Sequence, residues 1–226
     1  MLLWNYFVLS FSALLPLINP LGSALVFLSL VGQAPISLHH SLARRIAVNT
    51  VLFLIAVDLV GSALLSFFGI SLPIVQVAGG LVIASIAWRL LNQESSDPSP
   101  EKMQAAAQMR DEQIASDLRQ KVFYPFTFPI TAGPGTIVVM LTLAAHTPQR
   151  PIKDNLLAHG GLLLAILVLC VAVYFCYAHA HRIAHKISPS TVHGMLRIMA
   201  FILLCIGVQI AWNGLVPLLQ GVIHPG

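Results

Sequence analysis

The chain has 226 residues, of which 57% are hydrophobic and 9% charged, with a formal net charge of +4. A soluble domain carries roughly a quarter charged residues, so these polar groups are too few to cover a surface facing water, and the mean hydropathy of +0.84 excludes an ordinary soluble enzyme or binding module. The basic residues flank apolar stretches and form no stripe with interleaved aromatics, which argues against a nucleic-acid partner and for a lipid bilayer.

The first apolar stretch runs from Leu2 to about Leu30 and is interrupted by Asn19-Pro20-Leu21-Gly22. No Lys or Arg precedes Arg44, so the stretch lacks the basic region of a secretory signal peptide and is read as a retained span. The second stretch covers Ile46 to Phe68 and the third about Ile70 to Leu91. A polar segment follows, Pro- and Ser-rich at first and helical in pattern from Glu101 onward, read as a solvated connecting helix or a partner-binding or membrane-surface helix. The fourth stretch, Val122 to Ala145, is interrupted by Ala132-Gly133-Pro134-Gly135. The fifth covers about Leu156 to Tyr177 and the sixth Met195 to Leu219. Each is long enough to cross the hydrocarbon core. The three cysteines lie within these stretches and form no Cys-x-x-Cys pattern, so neither a metal cluster nor thiol redox work is expected.

Basic residues set the expected orientation. The connections after spans one, three and five hold Arg44, Arg45, Arg89, Lys102, Arg110, Arg119, Lys121, Arg182, Lys186 and Arg197, whereas the other side holds Arg150 and Lys153. The richer side is cytoplasmic, which places both termini outside.

The two halves of the chain echo one another. When Pro16 is laid on Pro129, Gly22 falls on Gly135, Ser23 on Thr136 and Ser29 on Thr142; a weaker echo pairs Ile86-Ala87-Trp88 with Ile210-Ala211-Trp212. Three spans per half mean that the second half enters the membrane from the opposite side, an inverted-topology repeat of the kind found in secondary transporters. The expected fold is therefore an all-α integral membrane protein of six transmembrane helices, two inverted three-helix repeats with the first helix of each broken. Residues 1–91 form the first repeat, 92–121 the cytoplasmic connecting segment and 122–226 the second repeat.

Proline removes a backbone donor and glycine costs helix stability, so each interrupted span is read as two half-helices. The alternatives are a packing kink and a binding element. The half-helices starting at Gly22-Ser23 and Gly135-Thr136 would present free N–H groups and a positive dipole end, which suit a carboxylate. On this reading Asn19, Pro20, Gly22 and Ser23 face Thr131, Gly133, Pro134, Gly135 and Thr136 around a small substrate.

Asp58 is the one acid inside a span, where a carboxylate costs about 3 kcal/mol on insertion scales. It is either a structural acid bonded to a neighbouring helix, or a group that carries coupling protons or a cation or meets a substrate amino group. Asn49, nine residues earlier, is expected to face the same side as Asp58 and to share that role. Gln76 and Gln209 are the corresponding polar residues of spans three and six, and Arg197 is expected to snorkel. His179, His181 and His185 cluster after span five, but a closed zinc site needs further ligands, so interfacial anchoring is expected and no metal site is assigned.

Asn19-Pro-Leu-Gly22 and Thr131-Ala-Gly-Pro-Gly-Thr136, the latter preceded by Phe128-Pro129, resemble the signatures of the MarC family, six-span bacterial inner-membrane proteins. Ser23-Ala24 after the first motif departs mildly from that pattern. The resemblance implies transport of small neutral amino acids or similar solutes across the inner membrane, without a cofactor, and agrees with the reading of the residues. Divalent metal-ion export is the nearest alternative, although it would want more than one intramembrane acid. An enzyme is not expected, because neither a second membrane Asp, a Ser/His arrangement nor a His-Glu-x-x-His motif is present; a non-transporting scaffold and a homo-oligomer stay open.

Overall fold

The computed structural model describes residues 2–32, 34–92, 118–145, 152–186 and 189–223, and among them every regular element is a helix. In chain order these are α1 (Leu2–Ile18), α2 (Pro20–Val31), α3 (Ile36–Phe67), α4 (Leu72–Asn92), the wide-turned α5 (Val122–Thr131), α6 (Pro134–Ala145), α7 (Ile152–Ala178), α8 (Ala180–Lys186) and α9 (Pro189–Ile223). Five runs are long and apolar enough to cross a membrane: Leu2–Leu28, Ile36–Phe67, Leu72–Asn92, Lys153–Ala178 and Ala200–Gln220. The bent pair α5–α6, with 65° between its arms, passes the same test only when its two helices are taken together, which makes five or six candidate spans. All six apolar stretches of the sequence thus carry helix. The helix expected from Glu101 onward lies, up to residue 117, outside the described residues.

Helix α3 begins well before the apolar stretch that marks it. Its 32 residues extend about 48 Å at 1.5 Å per residue, more than the hydrocarbon core of roughly 30 Å. The excess is the polar helical start around His39, His40, Arg44 and Arg45, which hydropathy alone does not assign to a span.

The core lies where α1, α2, α3, α6 and α7 meet, around Leu14, Ile18, Phe27, Leu42, Ile46, Met140, Ile166 and Leu169. Outside it, Leu59, Leu81, Val171 and Phe201 are largely exposed, as are Trp4, Trp88 and Trp212. In water that surface would aggregate; against lipid it is at home.

Because lipid tails are as apolar as leucine, helices in a bilayer associate through close packing and not through hydrophobic burial. The most extensive pairing, α4 with α9, follows this rule. A Cβ placed on Gly80 would run into the backbone of Gly207 and Ala211, and one on Gly207 into the backbone of Gly80 and Ala84. Glycine at both positions lets the two backbones touch. The other principal pairings are α1 with α7 and α3 with α7, with smaller ones of α3 with α5 and α6, α4 with α6 and α2 with α7.

Candidate functional site

The first break is a single residue. Asn19 takes the left-handed conformation (φ 41°, ψ 70°), which asparagine tolerates better than most residues. Its N–H closes the last turn of α1 on the Leu15 carbonyl at 2.9 Å. Its side-chain oxygen accepts from the Gly22 amide at 3.1 Å, and its carbonyl accepts from both the Ser23 amide and the Ser23 hydroxyl at 2.9 Å. Asn19 thereby ends one helix and caps the next. Pro20 opens α2, the position where a missing N–H matters least. Gly22 is required because a Cβ there would occupy the space of the Asn19 amide.

The second break is larger. Tyr124 and Phe128, each followed by proline, leave helical backbone geometry, as steric conflict with the proline ring requires. Pro125 and Pro129 supply no N–H, and two threonine hydroxyls add bonds to carbonyls five residues back in the same segment: Thr127 donates to the Val122 carbonyl at 2.9 Å and Thr131 to the Phe126 carbonyl at 2.7 Å. This is how a proline-rich segment survives in lipid. Ala132 is extended, Pro134 opens α6, and the Gly133 carbonyl accepts from the Thr136 and Ile137 amides at 3.0 and 3.3 Å. Gly135 is packed between Ile83 of α4 and Leu17 of α1, with no room for a Cβ.

The expected row of free N–H groups is therefore largely absent. Proline has none at the first position of either half-helix, and the Gly22, Ser23 and Thr136 amides are bonded within their own turns. A cap built from the motif itself consumes the donors that a substrate carboxylate was expected to use. The Thr136 hydroxyl, by contrast, is buried without a partner.

Tyr177 brings the two breaks together. Its hydroxyl lies 2.8 Å from the Thr131 hydroxyl, with the Ser23 side chain close by. The residue is fully buried, stacked on Phe27 with ring centroids 4.6 Å apart, and Phe126 meets Phe27 edge-on at 5.5 Å. Ser23 donates to the Asn19 carbonyl and Thr131 to the Phe126 carbonyl, so Tyr177 is the donor to Thr131.

Asp58 belongs to a separate centre. Its side chain is 3% exposed, and its Oδ2 lies 2.9 Å from Nδ1 of His159 on α7, whereas Oδ1 has no partner. The buried face of α3 runs through Ile46, Thr50, Leu54, Asp58 and Gly61. Asn49 is not on it: nine residues are two and a half turns, which puts Asn49 on the side opposite Asp58, and it is half-buried. Gln76 is buried and donates to Thr142 at 3.4 Å, while Gln209 is exposed and bonds Asn213 at 2.8 Å. His40 and His179 pack ring against ring at 5.6 Å. Among the described residues no group of three or more His, Cys, Asp or Glu is arranged to hold a metal ion. An open groove of about 570 Å³ along Ile86, Trp88, Arg89, Leu90 and Asn92 contains none of these centres.

Two of the most informative residues, His159 and Tyr177, have weak sequence signals. His159 is a polar residue just inside the fifth apolar stretch, beside Gly160-Gly161, and Tyr177 is the last residue of that stretch. Neither recurs in the other repeat, so the internal echo does not point to them.

A bundle of apolar helices with a half-helix break in each half and a buried acid between helices defines an integral membrane protein with a polar interior. The description "MarC family integral membrane protein" fits residues 4–219, and the chain belongs to that family. It is 29% identical over 211 residues to inner membrane protein MarC of Salmonella typhimurium strain LT2, covering 92% of each chain. It is 28% identical over 208 residues to inner membrane protein MarC of Escherichia coli strain UTI89, again covering 92% of each. No solved structure matches the chain.

Proposed function

We propose that this protein is a secondary transporter of small neutral amino acids or similar small solutes, with its binding site between the Asn19–Ser23 and Thr131–Thr136 breaks and coupling through Asp58. The observation that carries this reading is the buried Tyr177 hydroxyl, bonded to Thr131 of the second break and close to Ser23 of the first. A structural kink needs only its own backbone satisfied, and both breaks achieve that internally. A buried hydroxyl between two breaks goes further, because its oxygen, while donating to Thr131, keeps a lone pair that a zwitterion's ammonium group can use. The unpartnered Thr136 hydroxyl adds a donor or acceptor at the start of α6.

The pairings of helices support two inverted three-helix repeats, residues 1–91 and 122–226, joined by residues 92–121. Under an exchange of halves, α4 with α9 maps onto itself, and α1 and α2 with α7 map onto α5 and α6 with α3. Such a frame lets one half rock against the other about a central site. The breaks are unequal, however: Leu2–Leu28 passes as one span, whereas α5 and α6 meet at 65°. The extra prolines of α5 account for the difference.

Uptake of labelled L-alanine and glycine into proteoliposomes tests the reading. Flux in the parent protein, reduced in Tyr177→Phe and Thr131→Val, is expected. Absence of flux for every small neutral amino acid offered removes the transport reading.

A further inference from the structure

We propose that Asp58 and His159 form one proton-carrying pair, loaded through His159 from the face of the membrane that bears Lys153 and Asp154; this rests on the transport reading above and specifies its coupling ion. The geometry has three parts. Asp58 Oδ2 and His159 Nδ1 are 2.9 Å apart, a hydrogen-bond distance along which a proton can pass. The two partners differ in access, with side chains 3% and 31% exposed respectively. His159 lies five residues from Asp154, about 7.5 Å along the helix, so its outer nitrogen is within reach of the charged, wetted start of α7.

The transfer is balanced within the pair. A proton from water binds His159 Nε2, the proton on Nδ1 passes to Asp58 Oδ2, and the pair changes from imidazole with carboxylate to imidazole with carboxylic acid. The imidazole ends as it began, with its proton moved to the other nitrogen. Rotation of the protonated carboxyl carries the proton from Oδ2 to the buried, unpartnered position of Oδ1, from which it leaves once the helices shift, and the imidazole regains its starting tautomer by proton exchange with water. A hard cation wants about six oxygen ligands, whereas the bond that Asp58 makes is to an imidazole nitrogen.

Other charges leave the pair to itself. On α3 no ionisable residue lies between Arg45 and Asp58 or from Asp58 to Phe67, and on α7 the neighbours are Lys153 and Asp154 at the start, with Cys170, Tyr174, Cys176 and Tyr177 beyond. Helix α1 contributes Tyr6, beside Gly161, and no charge; α5 contributes Tyr124, which is exposed; α2 and α6 contain no ionisable residue. His181 and Arg182 of α8 follow the opposite end of α7.

Two measurements test the pair. In nanodiscs without solute, acidification is followed by infrared difference spectroscopy and by nitrogen resonance of labelled histidine. A carboxylic-acid carbonyl signal is expected that is lost in Asp58→Asn, shifts in His159→Gln, and grows together with a change in the His159 resonance. A carboxyl signal indifferent to His159→Gln, no signal at all, or the same changes produced by exchanging choline for sodium would overturn the proposal. In proteoliposomes, stimulation of L-alanine uptake by an inward proton gradient is expected in the parent and lost in both variants; stimulation that survives Asp58→Asn overturns it. A spectroscopic result as expected with no solute flux would remove the transport reading and leave the pair standing.

Discussion

Asp58 on α3 and His159 on α7 meet at 2.9 Å and tie two helices that come from different halves of the chain. Polar pairs at a buried site are poor sources of stability, since desolvation offsets their attraction, and apolar replacement of both partners is often neutral. The double variant Asp58→Leu/His159→Leu is therefore expected to unfold in detergent within about 1 kcal/mol of the parent, while Asp58→Leu alone, which strands a partly buried imidazole, is less stable. A double variant much less stable than either single change would make the pair a structural clamp.

Tyr177 combines stacking on Phe27 with its hydroxyl bridge. Tyr177→Phe keeps the stack and removes one hydrogen-bonded group, a cost of about 1 kcal/mol. Tyr177→Ala also leaves a cavity beside Phe27, for about 3 kcal/mol or more. Unfolding titrations in mixed micelles measure both. Equal costs for the two variants would mean that the ring contributes nothing.

Gly22 and Asn19 act as one device. Gly22→Ala displaces the Asn19 side chain from its cap and costs about 1 kcal/mol. Asn19→Gly keeps the left-handed turn and loses only the cap, so Gly22→Ala introduced into Asn19→Gly is expected to cost much less than it does in the parent. Additive costs in that cycle would show that Gly22 is needed for another reason.

At the α4–α9 crossing, Gly207→Val forces side-chain atoms into the Gly80 carbonyl and the Ala84 amide. Backbone cannot yield as a flexible side chain can, so a loss of about 2 kcal/mol or more is expected. Unchanged stability would mean that the helices separate there without penalty.

Orientation follows from charge and is testable by labelling. With the richer side cytoplasmic, a cysteine at Lys153 should react with an impermeant maleimide on intact cells, and one at Arg45 only after permeabilisation. The reverse pattern would invert the chain in the membrane.

The spans and their breaks were legible because lipid imposes a simple rule. Apolar runs of sufficient length must be helical, and proline with glycine inside them must interrupt the helix. Asp58 was legible for the same reason, as an acid where few are tolerated. What the interruptions look like was not. Asn19 and the Pro125–Pro129 segment satisfy their own backbone through side chains, so the anticipated free amides at Gly22, Ser23 and Thr136 are taken. Nor did a shared helix give Asn49 the same face as Asp58, because nine residues fall half a turn out of phase.

The sequence by itself determined six apolar helical stretches, the sites of both breaks and the buried acid, since each is a local response of a chain to an apolar solvent. Only the tertiary structure decided which polar groups meet. The Asp58–His159 pair and the Ser23–Tyr177–Thr131 cluster join residues far apart in the chain, and α7 supplies one partner to each. Hydropathy is blind to such pairings, because it records whether a segment prefers lipid and not which neighbour its side chains reach.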